Sequence, residues 1–134
     1  MSRPPVKRME ADLFLATGAI LAALGVALGA FGAHLMSQSF SDSDKDIWRT
    51  ATSYQMYHAL ALIVTARLLS RHPTRFFRVA CGSFVVGILL FSGSLYAIAL
   101  TDQPGAGIIT PLGGLAFLAG WIALAVGIFR TDVP

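Results

Sequence analysis

Tyr54, Gln55 and His58 stand within five residues at the head of an apolar run that continues to Leu69. On a helix, Tyr54 and His58 are related by i,i+4 and Gln55 and His58 by i,i+3. Ala51, Tyr54, His58 and Thr65 therefore share one face, with Gln55 at its edge. An imidazole can donate, accept, ligate a metal or carry a proton near neutral pH. Beside a phenol and a carboxamide it could orient a ligand. His34, Ser92, Ser94, Tyr96 and Thr110 are the other polar groups set among apolar residues. The candidate ligand-binding set is thus His34, Tyr54, Gln55, His58, Ser92, Ser94 and Thr110.

Four kinds of chemistry compete for these residues. They can hydrogen-bond between helices and fix register, or they can hold a lipid, small ligand or ion. Paired histidines can ligate a metal or a haem, yet His58 has no second deep histidine near it in the sequence. A proton path through His58 would need an acid to continue it, and the carboxylates all fall in loops or tails. The chain has no G-x-S-x-G, no H-E-x-x-H and no paired carboxylates, so no enzyme is expected. Nor do the residues give a metal or cofactor set. The single cysteine, Cys81, is expected to be a small buried apolar residue.

The elements that must position these groups are unusually apolar. Of 134 residues, 55% are hydrophobic and 13% charged, where a soluble domain carries about 25% charged residues. The apolar runs are Leu13–Leu35, Tyr54–Leu69, Val79–Leu100 and Ile108–Phe129. A helix needs roughly 20 mainly apolar residues to cross a bilayer core. The expected architecture is an all-α integral membrane four-helix bundle, one domain with spans at about 13–35, 51–70, 78–100 and 108–129. Residues 36–50 form an extracytoplasmic loop, in which Ser41-Asp42-Ser43-Asp44 signals a short interfacial helix with Trp48 at headgroup level. The first run exceeds the length of a signal-peptide core and is read as a retained helix.

Charge orients the spans. Arg3, Lys7, Arg8, Arg67, Arg71, Arg75, Arg78 and Arg130 fall on one side, against Lys45 and Arg49 on the other. The positive-inside rule then places both termini in the cytoplasm, as expected of a multi-pass protein of a bacterial inner membrane. The net charge of +3 needs no nucleic-acid partner, because the basic residues border apolar spans. Arg71 and Arg75, beside the turn after span two, are candidates for an anionic lipid headgroup.

Small residues mark where helices approach, since lipid supplies little drive for apolar association. Gly18, Ala22, Gly25, Gly29 and Gly32 share one sector of span one, with Ala16, Ala19, Ala23, Ala27 and Ala30 opposite. Gly113, Gly120 and Gly127 recur every seven residues in span four, and Gly87 offers the same on span three. The expected packing positions are Gly25, Gly29, Gly32, Gly87, Gly113, Gly120 and Gly127. Arg71-His72-Pro73 and Pro104-Gly105 break the chain, and Thr110-Pro111 suits a first helical turn.

Several separated segments together resemble a known family. They are Leu28-Gly29-Ala30-Phe31-Gly32-Ala33-His34-Leu35, Trp48-Arg49-Thr50-Ala51, Tyr54-Gln55-Met56-Tyr57-His58-Ala59-Leu60-Ala61, Phe91-Ser92-Gly93-Ser94-Leu95-Tyr96, Thr110-Pro111-Leu112-Gly113-Gly114 and Gly120-Trp121. In this order they are similar to the YgdD-like family of small membrane proteins, known from bacterial inner membranes and with eukaryotic relatives. The resemblance covers nearly the whole chain. It implies a four-span membrane bundle and supplies no activity. Its motif positions include His34, Tyr54, Gln55, His58, Ser92, Ser94, Thr110 and Pro111.

The function expected from all this is a binding or accessory module. It would hold a lipid, small ligand or partner membrane protein through polar groups in the outer half of the bundle. The alternative is an oligomeric transporter or channel component for a small solute or ion. The inner half below Thr65 is almost wholly apolar, which favours binding.

Overall fold

The structure is a computed structural model that describes residues 5–34 and 38–131. Leu35, at the end of the first expected span, residues 36–37 of the following loop, and Arg3 lie outside the described residues. The described chain is all helical: α1 (Pro5–His34), α2 (Asp42–Arg71), α3 (Arg75–Gly87), a π-helical stretch (Ile88–Ser92), α4 (Gly93–Thr101), a 3-10 turn (Pro104–Ile108) and α5 (Thr110–Thr131). α3, the π stretch and α4 follow without a break and act as one rod. The described chain thus folds as four antiparallel helical rods. α1 packs chiefly on α2, α5 packs chiefly on the third rod, and α2 and the third rod meet in the middle.

Local chemistry sets the ends. Ser41 caps α2 with a capping box: its hydroxyl accepts from Asp44 N at 3.1 Å, and Asp44 Oδ2 accepts from Ser41 N at 3.2 Å. The expected interfacial helix is the first part of this one continuous helix. Thr74 caps α3 through Phe77 N. Pro73 follows the last turn of α2, where His72 N still donates to Leu68 O. Asp102 closes α4 in the left-handed region, φ 55°, a conformation that a short polar side chain tolerates better than most.

Three rods are long and apolar enough to cross a membrane: Arg8–His34, Arg75–Thr101 and Pro104–Thr131. α2 is 30 residues long but carries three of the buried polar residues. Gln55, His58 and Thr65 are buried, because α2 lies between α1 and the third rod. A polar helix in the middle of a membrane bundle spends its polar groups on neighbours rather than on lipid.

Both flanking helices use glycine to come close. On α1, a Cβ at Gly18 would meet Ile63 Cγ1 at 2.6 Å and one at Gly32 would meet Trp48 Nε1 at 2.5 Å. A Cβ at Gly25 would make ordinary contact, at 3.4 Å from Met56 Cε. On α5, the Phe84 ring fills the space at Gly120 (2.7 Å) and the Phe77 ring that at Gly127 (2.7 Å). At Gly113 the backbone of Phe91 itself moves in, and at Gly87 the Phe117 ring does so from the other side. Phe77, Phe84 and Phe91 are seven residues apart, as are the glycines they meet. The result is an antiparallel seam of rings and gaps, the near-parallel packing that a seven-residue repeat favours. Gly29 meets nothing within 4 Å.

Candidate functional site

His58 is held from both ring nitrogens. Its Nδ1 lies 2.7 Å from Tyr54 O, and Trp121 Nε1–H donates to its Nε2 at 3.1 Å. A carbonyl can only accept and an indole can only donate, so the partners assign a neutral imidazole with its proton on Nδ1. The ring stacks face to face on Phe117, centroids 3.4 Å apart and 7° from parallel. Phe84 and Tyr54 border the same ring. His58 is 5% exposed. Its position one turn after Tyr54 on an unbroken helix supplies the Nδ1 partner, and α5 supplies the Nε2 partner.

The second cluster lies between α1, α2 and α4. Gln55 Nε2 donates to Leu21 O at 2.8 Å, and Tyr96 O–H donates to Gln55 Oε1 at 2.8 Å. About two turns toward the N-terminus of α2, Trp48 Nε1–H donates to Leu28 O at 2.8 Å. Trp48 and Tyr96 meet edge to face at 4.7 Å. The donors at 48 and 55 and the acceptors at 21 and 28 are each seven residues apart. In an α-helix those carbonyls already bond to the amides four residues on, at Gly25 and Gly32. Glycine at these two places leaves the second lone pair of each carbonyl within reach of α2.

The serines join the third rod to its neighbours. Ser92 Oγ donates to Ala51 O at 2.8 Å, and Ser94 Oγ donates to Phe91 O at 2.9 Å. Ser94 Oγ also lies 2.6 Å from Thr110 Oγ1. Since Ser94 has one hydroxyl hydrogen and the Phe91 carbonyl needs it, Thr110 is the donor in that pair. Among the described residues, no buried side-chain nitrogen or oxygen lacks a hydrogen-bond partner.

The candidates therefore fall into groups. Tyr54 joins His58, Gln55 joins Tyr96, and Ser94 joins Thr110, while Ser92 is tied to the backbone of α2. His34 is exposed at the end of α1 and takes no part in these hydrogen bonds. Tyr54 and the neighbouring Tyr57 are 41% and 60% exposed, and among the described residues neither phenol O–H has a partner. Arg71 and Arg75 lie at the other end of the bundle, where the Arg75 guanidinium stands 5.1 Å from the Phe76 ring centroid. Among the described residues, no three His, Cys, Asp or Glu side chains gather in a way that could hold a metal ion.

Sequence reasoning missed Trp121 and Phe117 as partners of His58, and Trp48 as a donor to α1. A signal was present for Trp121. An indole N–H in the middle of an apolar span must find an acceptor, and His58 is the deep imidazole able to offer one.

Comparison with known proteins places this arrangement in a family. Residues 28–114 match the family described as Protein of unknown function (DUF423). The UPF0382 membrane protein YwdK of Bacillus subtilis is 44% identical over 115 residues, covering 85% of this chain and 94% of its own. The UPF0382 membrane protein SAB0533 of Staphylococcus aureus is 42% identical, covering 88% and 96%. The UPF0382 inner membrane protein YgdD of Escherichia coli is 37% identical over 122 residues, covering 91% and 93%. The resemblance carried by the sequence motifs is thus borne out. No solved structure matches this chain. With its apolar helical rods and these relatives, the chain belongs to the DUF423 family of multi-pass membrane proteins, at home in the lipid bilayer of a bacterial cell membrane.

Proposed function

We propose that this protein is a lateral binding or accessory module, with no enzymatic activity of its own, that holds a partner membrane protein, a lipid or a small ligand against its α2–α5 face. The observation that carries this reading is the pair of exposed phenols without a hydrogen-bond partner. Tyr54 and Tyr57 are both exposed, and neither phenol O–H has a protein acceptor among the described residues. Trp121, 45% exposed, lies on the same side and is steadied by His58. A polar hydrogen facing hydrocarbon without an acceptor is costly, so a bound carbonyl, phosphate or neighbouring side chain would be stabilised there. The buried polar groups support the same view from the inside. His58, Gln55, Ser92 and Ser94 are engaged with the protein itself, which positions the face rather than the ligand. By the distribution of its arginines both termini would be cytoplasmic, and the face would sit in the outer half of the membrane.

A transport pathway within one subunit has less support, because internally paired groups cannot replace the hydration of a moving solute. The test is native purification in mild detergent, with mass spectrometry of whatever accompanies the protein. A stoichiometric companion retained by the parent and lost in the Tyr54→Phe/Tyr57→Phe double variant supports the reading. Both proteins purifying bare, or the companion surviving the loss of both hydroxyls, counts against it.

A further inference from the structure

Two guanidinium groups share one aromatic ring at the arginine-rich end of the bundle. Arg75 Cζ lies 5.1 Å and Arg130 Cζ 5.3 Å from the centroid of Phe76. The ring is brought within reach of both by the α3–α5 seam. Gly127 leaves room for Phe77 and for Phe76 Cβ, at 2.7 and 3.1 Å from where its own Cβ would stand, so the start of α3 and the last turns of α5 lie side by side. Both arginines are exposed, and Phe76 is half-buried.

Neither arginine is in an ion pair among the described residues. An ion pair at this end joins Arg78 to Glu10, 2.7 Å. At the opposite end both described cations are neutralised, Lys45 by Asp42 at 3.4 Å and Arg49 by Asp46 at 3.1 Å. The contrast matters because two like charges gathered on one ring repel each other unless an anion joins them. A guanidinium that lays its face toward a ring keeps its in-plane N–H groups free, and these form the fork that matches phosphate oxygens. Arg75 is also the first residue of α3, where the backbone N–H groups of the first turn favour negative charge.

We propose that Arg75, Phe76 and Arg130 form a clamp for a phosphate group, supplied by the headgroup of an anionic phospholipid in the leaflet that meets this end. The two arginines grip the phosphate from either side and Phe76 packs against the first apolar segment of the lipid. Such a site holds the bundle at a fixed depth and tilt. It uses Arg130 and Phe76, which lie far from the Tyr54–Tyr57 face, so either site stands without the other.

The experiment uses the full chain in mild detergent, offered phosphatidylglycerol or phosphatidylcholine and read by native mass spectrometry. The expected result is selective retention of phosphatidylglycerol. It should fall about fivefold in Arg75→Gln or Arg130→Gln, as expected for one surface charge, and nearly to the phosphatidylcholine level in the double variant. Arg67→Gln, at the same end but away from the ring, should leave it within twofold. Arg75→Lys/Arg130→Lys keeps the charge and removes the fork, and should lose most of the selectivity while melting like the parent. Equal retention of the two lipids overturns the proposal, as does an Arg67→Gln loss equal to that of Arg75→Gln, which would mean diffuse attraction only. Inorganic phosphate alone serves as the soluble arm. If it protects the protein against melting at the concentrations where the lipid does, the clamp takes free phosphate and the lipid assignment fails.

Discussion

The two flanking helices solve the same packing problem with different chemistry. α1 presents Gly18, Gly25 and Gly32 to α2, and α5 presents Gly113, Gly120 and Gly127 to the third rod, each set seven residues apart. Across the α5 seam the gaps are met by Phe84 and Phe77 rings and the Phe91 backbone. Across the α1 seam they are met by a mixture: Ile63 is apolar, while Gln55 and Trp48 deliver hydrogen bonds to main-chain carbonyls. Van der Waals contact depends steeply on shape, and a ring seated against a glycine tolerates little change. A hydrogen bond to a helix carbonyl selects register with a modest energy, because a membrane-embedded donor finds other partners when released. The α5 seam should therefore dominate stability, and the α1 seam should dominate register.

The largest effect is expected where a methyl group would strike backbone. Gly113→Ala places its Cβ on the Phe91 main chain inside the π-helical stretch, where no rotamer change can relieve it. A loss of about 2–3 kcal/mol is expected, at the upper end for overpacking, measured by thermal or denaturant unfolding in detergent. A Gly113→Ala protein that melts with the parent would show that the seam yields, and the proposed ranking of the two seams would be lost.

Next comes Gly32→Ala. The added Cβ would lie 2.5 Å from Trp48 Nε1, so the indole must leave Leu28 O. A cost of about 1–2 kcal/mol is expected, combining displacement and a lost hydrogen bond. If Gly32 and Trp48 form one device, Gly32→Ala and Trp48→Phe should be strongly non-additive in a double-mutant cycle. Additive losses would separate the glycine from the hydrogen bond and leave the α1 seam a matter of shape, like the α5 seam.

How much of this was legible follows from what each signal requires. The long apolar runs announced the rods because crossing a bilayer fixes a minimum length. The glycine heptad of α5 was visible because a repeat within one helix needs no knowledge of its neighbour. Its complement, Phe77, Phe84 and Phe91, stands in the sequence at the same period, yet pairing the two sets needs the antiparallel register of α3 and α5. The π-helical stretch at Ile88–Ser92 left no local mark, since its residues are ordinary helix formers in an apolar run. Tyr54, Gln55 and His58 announced a polar face, but whether each side chain faces a neighbour or lipid depends on helix rotation. The same string therefore yields a buried Gln55 and His58 and an exposed Tyr54 and Tyr57. His34 was grouped with them by depth alone, and depth does not decide contact.

A smaller effect should separate the two functions of Gln55. The Gln55→Leu and Tyr96→Phe pair forms a cycle around a single bond of 2.8 Å. A coupling of about 0.6 kcal/mol is expected, the average for such bonds in a membrane protein. Gln55→Leu alone should cost more, since it also frees Leu21 O. Coupling indistinguishable from zero would mean that the Tyr96 phenol finds another acceptor, leaving Trp48 as the main polar tie of this region.

The smallest effect is the most discriminating of all. Gly29 lies in the same sector of α1 as Gly25 and Gly32, but a Cβ there meets nothing within 4 Å. Spacing alone would make Gly29→Ala disruptive, whereas the geometry makes it free of contact. Replacing a mid-helix glycine by alanine then raises helix propensity and lowers the entropy of the unfolded chain, a gain of up to about 1 kcal/mol in water. Inside a bundle in detergent a slight rise in melting temperature is expected, beside a clear fall for Gly32→Ala three residues away. A fall at Gly29 comparable to that at Gly32 would require a second helix against this part of α1. It would come from another copy of the chain, because α1 packs chiefly on α2 within one molecule.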